Sequence, residues 1–77
     1  MGVFRMANAT AKLQAGKVLR MLINRHYTTQ EEFALDYGLD IRSVNRYINE
    51  GISKVDTIQE LADFFHVDFI YFFTNPN

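Results

Sequence analysis

The sequence predicts an all-α fold, a single small domain of five helices, and three observations carry that expectation. Apolar residues recur at three- and four-residue spacing, and no alternation of polar and β-branched residues lasts long enough for a sheet. The 77-residue chain holds four Gly and one Pro, and that Pro stands at position 76, so no proline interrupts a helix before the tail. A 48% hydrophobic share, with 7 Phe and 4 Tyr, is enough to build a core in so short a chain and excludes disorder as the default.

The elements follow in order. Thr10 is the candidate cap of a first helix running to about Asn24, with Leu13, Val18, Leu19, Leu22 and Ile23 on or near one stripe. His26-Tyr27-Thr28 loses that rhythm and reads as a loop. Thr29-Gln30-Glu31-Glu32 is a capping box that opens a short helix carrying Phe33, Ala34 and Tyr37. Gly38 is placed to end it in a left-handed conformation. Asp40 then stands where a third helix needs its N-cap, with Val44, Tyr47 and Ile48 inward. Glu50-Gly51-Ile52-Ser53 ends that helix, and a fourth runs from Val55 to Phe65 with Ile58, Leu61, Ala62 and Phe65 inward. Asp68 can cap a last turn or short helix that sends Phe69, Phe72 and Phe73 into the core. The expected organisation is a flexible arm over 1–9, one domain over 10–74 and a tail over 75–77.

Composition narrows the function. With no Cys there is neither a disulfide framework nor a Cys-based zinc site. His26 and His66 lack acidic or thiol companions at ligand spacing, so no metal and no cofactor is expected. No nucleophile setting and no Gly-rich phosphate loop is present, which argues against an enzyme. The longest apolar run, Phe69-Ile70-Tyr71-Phe72-Phe73, is far short of the roughly 18 residues of a membrane span, and the N-terminus lacks a signal-peptide core. A soluble, cytoplasmic protein is the expectation. The formal charge of −1 hides a split, +5 over residues 1–27 and −6 over 28–77. Such asymmetry fits a surface for a polyanion beside one that avoids it, and it also fits chance in a small helical protein.

The informative segment surrounds Gly38. A short helix, the turn Gly38-Leu39-Asp40 and a second helix form a helix-turn-helix, with Leu39 plugging the junction and the small Ala34 allowing close approach. On the third helix Arg42, Asn45, Arg46 and Asn49 share the face opposite Val44 and Ile48. Guanidinium and carboxamide groups suit guanine and adenine edges in a major groove, while Arg can alternatively hold phosphate.

From Gly16 to Phe73 the chain resembles the phage repressor/Cro-type, XRE-like helix-turn-helix family. The residues that carry the likeness are Thr29-Gln30-Glu31-Glu32-Phe33-Ala34, Gly38-Leu39-Asp40 and Leu61-Ala62-Asp63-Phe64-Phe65-His66-Val67-Asp68. They resemble the family's Ser-Gln-Glu-Glu-Leu-Ala, Gly-Val-Ser and Ile-Ala-x-x-Leu-Gly-Val-Ser blocks at the usual separations. The resemblance implies a compact five-helix, lambda-repressor-like domain and a dimeric regulator, most simply a repressor, binding a two-fold symmetric double-stranded DNA operator. It implies that Thr29 and Gln30 meet phosphate, and that Ile41, Arg42, Asn45 and Arg46, with Ser43 among them, lie where the family reads base edges. Asn49 and the loop through Ser53 and Lys54 would touch the sugar-phosphate backbone. Asp40 is either an N-cap or an acceptor for a cytosine amino group.

Four positions depart from the pattern. Ile23 and Ile48 stand where the family commonly has an Arg–Glu ion pair, which predicts that the two side chains touch in the core. Glu50 stands where the family often has Gly, displaced here to Gly51, and His66 replaces a helix-ending Gly. Ile70 and Tyr71 are left as candidate homodimer contacts, and the arm carrying Phe4 and Arg5 as a candidate DNA contact. The competing reading is an interaction module on the same fold, an antitoxin or adaptor that uses the aromatic C-terminus or the Asp56, Glu60 and Asp63 face of the fourth helix. Convergence of Lys12, Lys17, Arg42, Arg46 and Lys54 on one face would favour DNA, and acids interrupting that face would favour the interaction module.

Overall fold

Good helix formers without an internal breaker carry the first helix well past the predicted start. The protein is seen in a computed structural model that describes residues 2–74, with side chains from Ala11 onward. Helix α1 spans Gly2–His26, α2 Gln30–Tyr37, α3 Ile41–Glu50 and α4 Val55–Phe65, and a 3-10 helix spans Phe69–Phe73. Among the described residues there is no strand. Two expectations are corrected. The fifth element is a 3-10 turn, so there are four α-helices among the described residues rather than five. Residues 2–9, expected as an arm, are helical, and Thr10 lies inside α1 instead of capping it. Met6, Ala7 and Ala9 favour helix, and extending an existing helix is far easier than nucleating one. The side chains of Phe4 and Arg5 and the tail 75–77 lie outside the described residues.

Ala15, Val18, Leu19, Leu22 and Ile23 turn into the core from α1 and are essentially inaccessible. Leu13 does not join them and is 47% exposed. It lies roughly 120–140° around the helix from Val18 and Leu19, outside the buried stripe. The α1 helix packs most extensively on α3. Gly16 makes this approach possible: a Cβ there would stand 2.5 Å from the Tyr47 carbonyl oxygen. Ile48, half-buried, packs on the same core that holds Ile23, so neither of the two isoleucines is stranded in solvent.

Phe33 centres an aromatic cluster that locks α2 in place. Its ring stacks on Tyr37 at 5.4 Å and Phe65 at 5.5 Å, and meets Tyr27 and Phe64 edge-on at 5.6 and 6.0 Å. Full burial of such a ring is worth roughly 1.5–3 kcal/mol before any pairing preference. The Tyr27 hydroxyl donates to the Asp36 carboxylate and ties the loop before α2 to that helix's outer face.

His66 ends α4 with φ 59°, and its N–H together with that of Val67 reaches back to the α4 carbonyls. A residue with a Cβ therefore adopts the left-handed position that glycine usually takes. In the 3-10 helix Phe72 is buried and Phe69 half-buried, while Phe73 is 41% and Ile70 68% exposed. Phe73 was expected inside. Three residues per turn put it on the same outer edge as Ile70, whereas Phe69 and Phe72 share the inner one. Tyr71, expected at a dimer contact, is half-buried against the core. The Gln14 side-chain amide donates to the Thr74 carbonyl at 2.6 Å and pins this segment to α1.

Candidate nucleic-acid interface

The capping box at the start of α2 forms as its sequence requires. The Glu32 N–H donates to Thr29 Oγ1 at 3.2 Å, and the N–H groups of Thr28 and Thr29 donate to Glu32 Oε1 at 3.0 and 3.2 Å. This holds Thr29 exposed and Gln30 half-buried at the helix N-terminus, where positive partial charge favours an anion. At the other end Gly38 takes φ 90°, and the N–H groups of Gly38 and Leu39 both donate to the Ala34 carbonyl at 2.9 Å. Leu39 packs against the core and Ala34 is buried, so the reversal is short and closed.

Asp40 occupies the N-cap position of α3 with extended backbone angles, and its carbonyl accepts the first helical bonds from Ser43 and Val44. Its carboxylate makes no capping hydrogen bond and stays exposed, so the expected side-chain cap is absent. Along α3 only Val44 is fully buried. Ile41, Ser43, Tyr47 and Ile48 are half-buried, and Arg42, Asn45, Arg46 and Asn49 form one exposed row. Ile41 therefore turns partly toward the core instead of standing wholly in the row.

Gly51 ends α3 with φ 94°, and its N–H donates to the Tyr47 carbonyl at 3.0 Å. The next amide, Ile52 N–H, donates across to the Lys12 carbonyl of α1 at 3.1 Å. The chain then enters α4 at Lys54, whose ammonium has no acceptor with which to cap. Here a cleft of about 230 Å³ opens, lined by Lys12, Arg46, Glu50, Ser53, Lys54 and Thr57 among others.

Of the site residues read from the sequence, the fold brings Arg46, Ser53 and Lys54 together at this cleft and sets Arg42, Asn45 and Asn49 on the same exposed face of α3. Thr29 and Gln30 stand at the start of the neighbouring helix. Lys17 does not converge with Lys12; it lines a separate shallow groove with Arg20, Met21 and Asn24. Glu50 adds one carboxylate among the three cations. Sequence reasoning placed Lys12 among the cations whose convergence would favour DNA but not among the contact residues, because its approach to the end of α3 depends on tertiary packing.

An exposed polar row on the second helix of a closed helix-turn-helix defines a DNA-binding class of domain. Residues 19–72 match the helix-turn-helix family model of the XRE/Cro/C1 type, and the chain belongs to that family. Neither a curated protein nor a solved structure matches it. No helix among the described residues is long and apolar enough to cross a membrane.

Proposed function

We propose that this protein is a sequence-specific double-stranded-DNA-binding transcription regulator, a repressor of phage or mobile-element type that works in the cytoplasm as a homodimer on a two-fold symmetric operator. The observation that carries this is the row Arg42, Asn45, Arg46 and Asn49, which stands outside the core on a helix held by Val44, Tyr47 and Ile48. In this reading α3 enters the major groove. Arg42 and Asn45, in its first half, meet base edges, and the N-terminus of α2 with Thr29 and Gln30 meets phosphate. Asp40 and Ile41 border the same bases, Ser43 adds a hydroxyl, and Asn49 and Lys54 contact the backbone beyond. Selection of bound duplexes from a random pool at physiological salt tests it. The expected product is one motif with two-fold symmetry and half-sites about 34 Å apart. A pool that never acquires a shared motif would falsify sequence-specific binding.

A second reading retains a specific observation. Leu35 is 87% exposed on α2, and Asp56, Glu60 and Asp63 are exposed along α4. An antitoxin or adaptor would meet a basic partner on the acidic face of α4, and it would leave the selection pool unenriched.

A further inference from the structure

We propose that Arg46 acts with Lys12 and Lys54 as a clamp on one backbone phosphate instead of reading a base, and that Lys12 is a DNA-contacting residue. This rests on the DNA-binding reading above.

Three cations from three elements line one cleft: Lys12 from α1, Arg46 from α3 and Lys54 at the start of α4. All three side chains are exposed, and Ser53 and Thr57 add hydroxyls to the wall. Gathering like charges raises the free energy of the free protein, and Glu50 offsets only one of the three. The residual positive charge of the cleft is relieved when an anion enters. Its volume of about 230 Å³ is several times the roughly 30 Å³ share of one liquid water, so a phosphate group fits with some of its waters.

The arrangement is built into the backbone. Gly16 and Gly51 let α1 lie directly on the end of α3, and a Cβ at Gly51 would stand 2.6 Å from Lys12 Cγ. The bond from Ile52 N–H to the Lys12 carbonyl holds that register. The side chain of Lys12 is thereby carried to the cleft.

Position along α3 separates the two arginines. Recognition helices meet base edges with their N-terminal residues. Arg42 is the second residue of α3, whereas Arg46 lies one turn later, about 6 Å further along the axis, where α3 meets the loop and α1. A phosphate requires positive charge without a particular shape. Two parallel bonds to guanine O6 and N7 are made best by the planar guanidinium fork, so a Lys in its place holds the guanine less selectively.

The test measures full-length protein on its selected duplex and on a scrambled one across a salt series, for wild type, Lys12→Gln, Arg46→Gln, Arg46→Lys and Arg42→Lys. Lys12→Gln and Arg46→Gln should each weaken both duplexes by the same factor, several-fold at physiological salt. Each should also flatten the slope of log affinity against log salt by only part of the ~0.9 that one phosphate contact supplies, because the two remaining cations still hold that phosphate. Arg46→Lys should restore most of the loss, and Arg42→Lys should reduce the preference for the selected duplex. Partial unfolding would lower apparent affinity without changing the slope, so a folding defect does not imitate the effect. An unchanged affinity in Lys12→Gln, a slope flattened by the full ~0.9 of a separate phosphate in each single variant, or a lost preference in Arg46→Lys overturns the clamp while leaving DNA binding intact. A wild-type chain that binds neither duplex at any salt overturns the DNA reading and the clamp with it.

Discussion

The backbone N–H of Ile52 donates to the carbonyl oxygen of Lys12 at 3.1 Å, joining the loop after α3 directly to the middle of α1. Helix backbones rarely come so close, because side chains hold them apart at 8–10 Å between axes. Gly16 and Gly51 remove that barrier on the two facing segments, and the energetics of the domain should be most sensitive there.

Gly16→Ala puts a Cβ 2.5 Å from the Tyr47 carbonyl, and Gly51→Ala puts one 2.5 Å from the Lys12 carbonyl at a backbone φ of 94°. Neither neighbour is a flexible side-chain tip. Overpacking should cost each about 1–3 kcal/mol, and Gly51→Ala adds a positive-φ backbone penalty of about 1–3 kcal/mol, read as a lowered urea midpoint at constant m. Gly38→Ala meets nothing within 4 Å, so it should cost only the left-handed backbone penalty of about 1–2 kcal/mol. A Gly16→Ala protein as stable as wild type would contradict the close approach.

The capping box makes a separate prediction. Thr29→Ala removes the acceptor for the Glu32 N–H, and Glu32→Ala removes the acceptor for two N–H groups. Each should lower stability by about 0.5–2 kcal/mol, and the double variant should lose less than the sum because the bonds are reciprocal. Thermal denaturation of the four proteins checks it.

Tyr27 should titrate late. The hydrogen bond from its hydroxyl to Asp36, then burial and the Asp36 charge, push its pKa up from 10.0 to about 12. The unfolded chain ionises this phenol first, so the contribution to stability is complete below about pH 10 and fades as pH rises toward 12. Absorbance titration should show Asp36→Asn moving one tyrosine back toward its ordinary value. Tyr37, held up first by burial and then by the Glu60 charge, should stay late in that variant. An unchanged curve would mean the bond does not form in solution.

The outer edge of the 3-10 helix offers a test of assembly. Ile70 is 68% exposed and Phe73 shares its edge, so Ile70→Lys should leave the melting temperature nearly unchanged. If the proposed homodimer uses this edge, sedimentation equilibrium should show the variant shifted toward monomer and operator affinity should fall. A variant as dimeric as wild type moves the interface elsewhere.

Local signals were legible where neighbours in sequence supply the physics. The capping box at Thr29, the left-handed stop at Gly38 and the outward row on α3 depend on contacts three or four residues apart, and they stand where spacing put them. Boundaries without a breaker were not legible. Nothing in residues 2–9 stops α1, so the cap read at Thr10 was displaced by simple helix propagation. Nor could periodicity place Phe73, because a 3-10 turn repeats every three residues and an α-helix every 3.6.

By itself the chain determined the all-α class, the helix-turn-helix and which face of α3 is polar, since these follow from residue type and short-range spacing. Only the tertiary structure decided that Lys12 meets Arg46 and Lys54 at one cleft. That meeting depends on Gly16 within α1 and Gly51 just past the end of α3 coming into register, and no pattern along a single helix records which other backbone will lie against it.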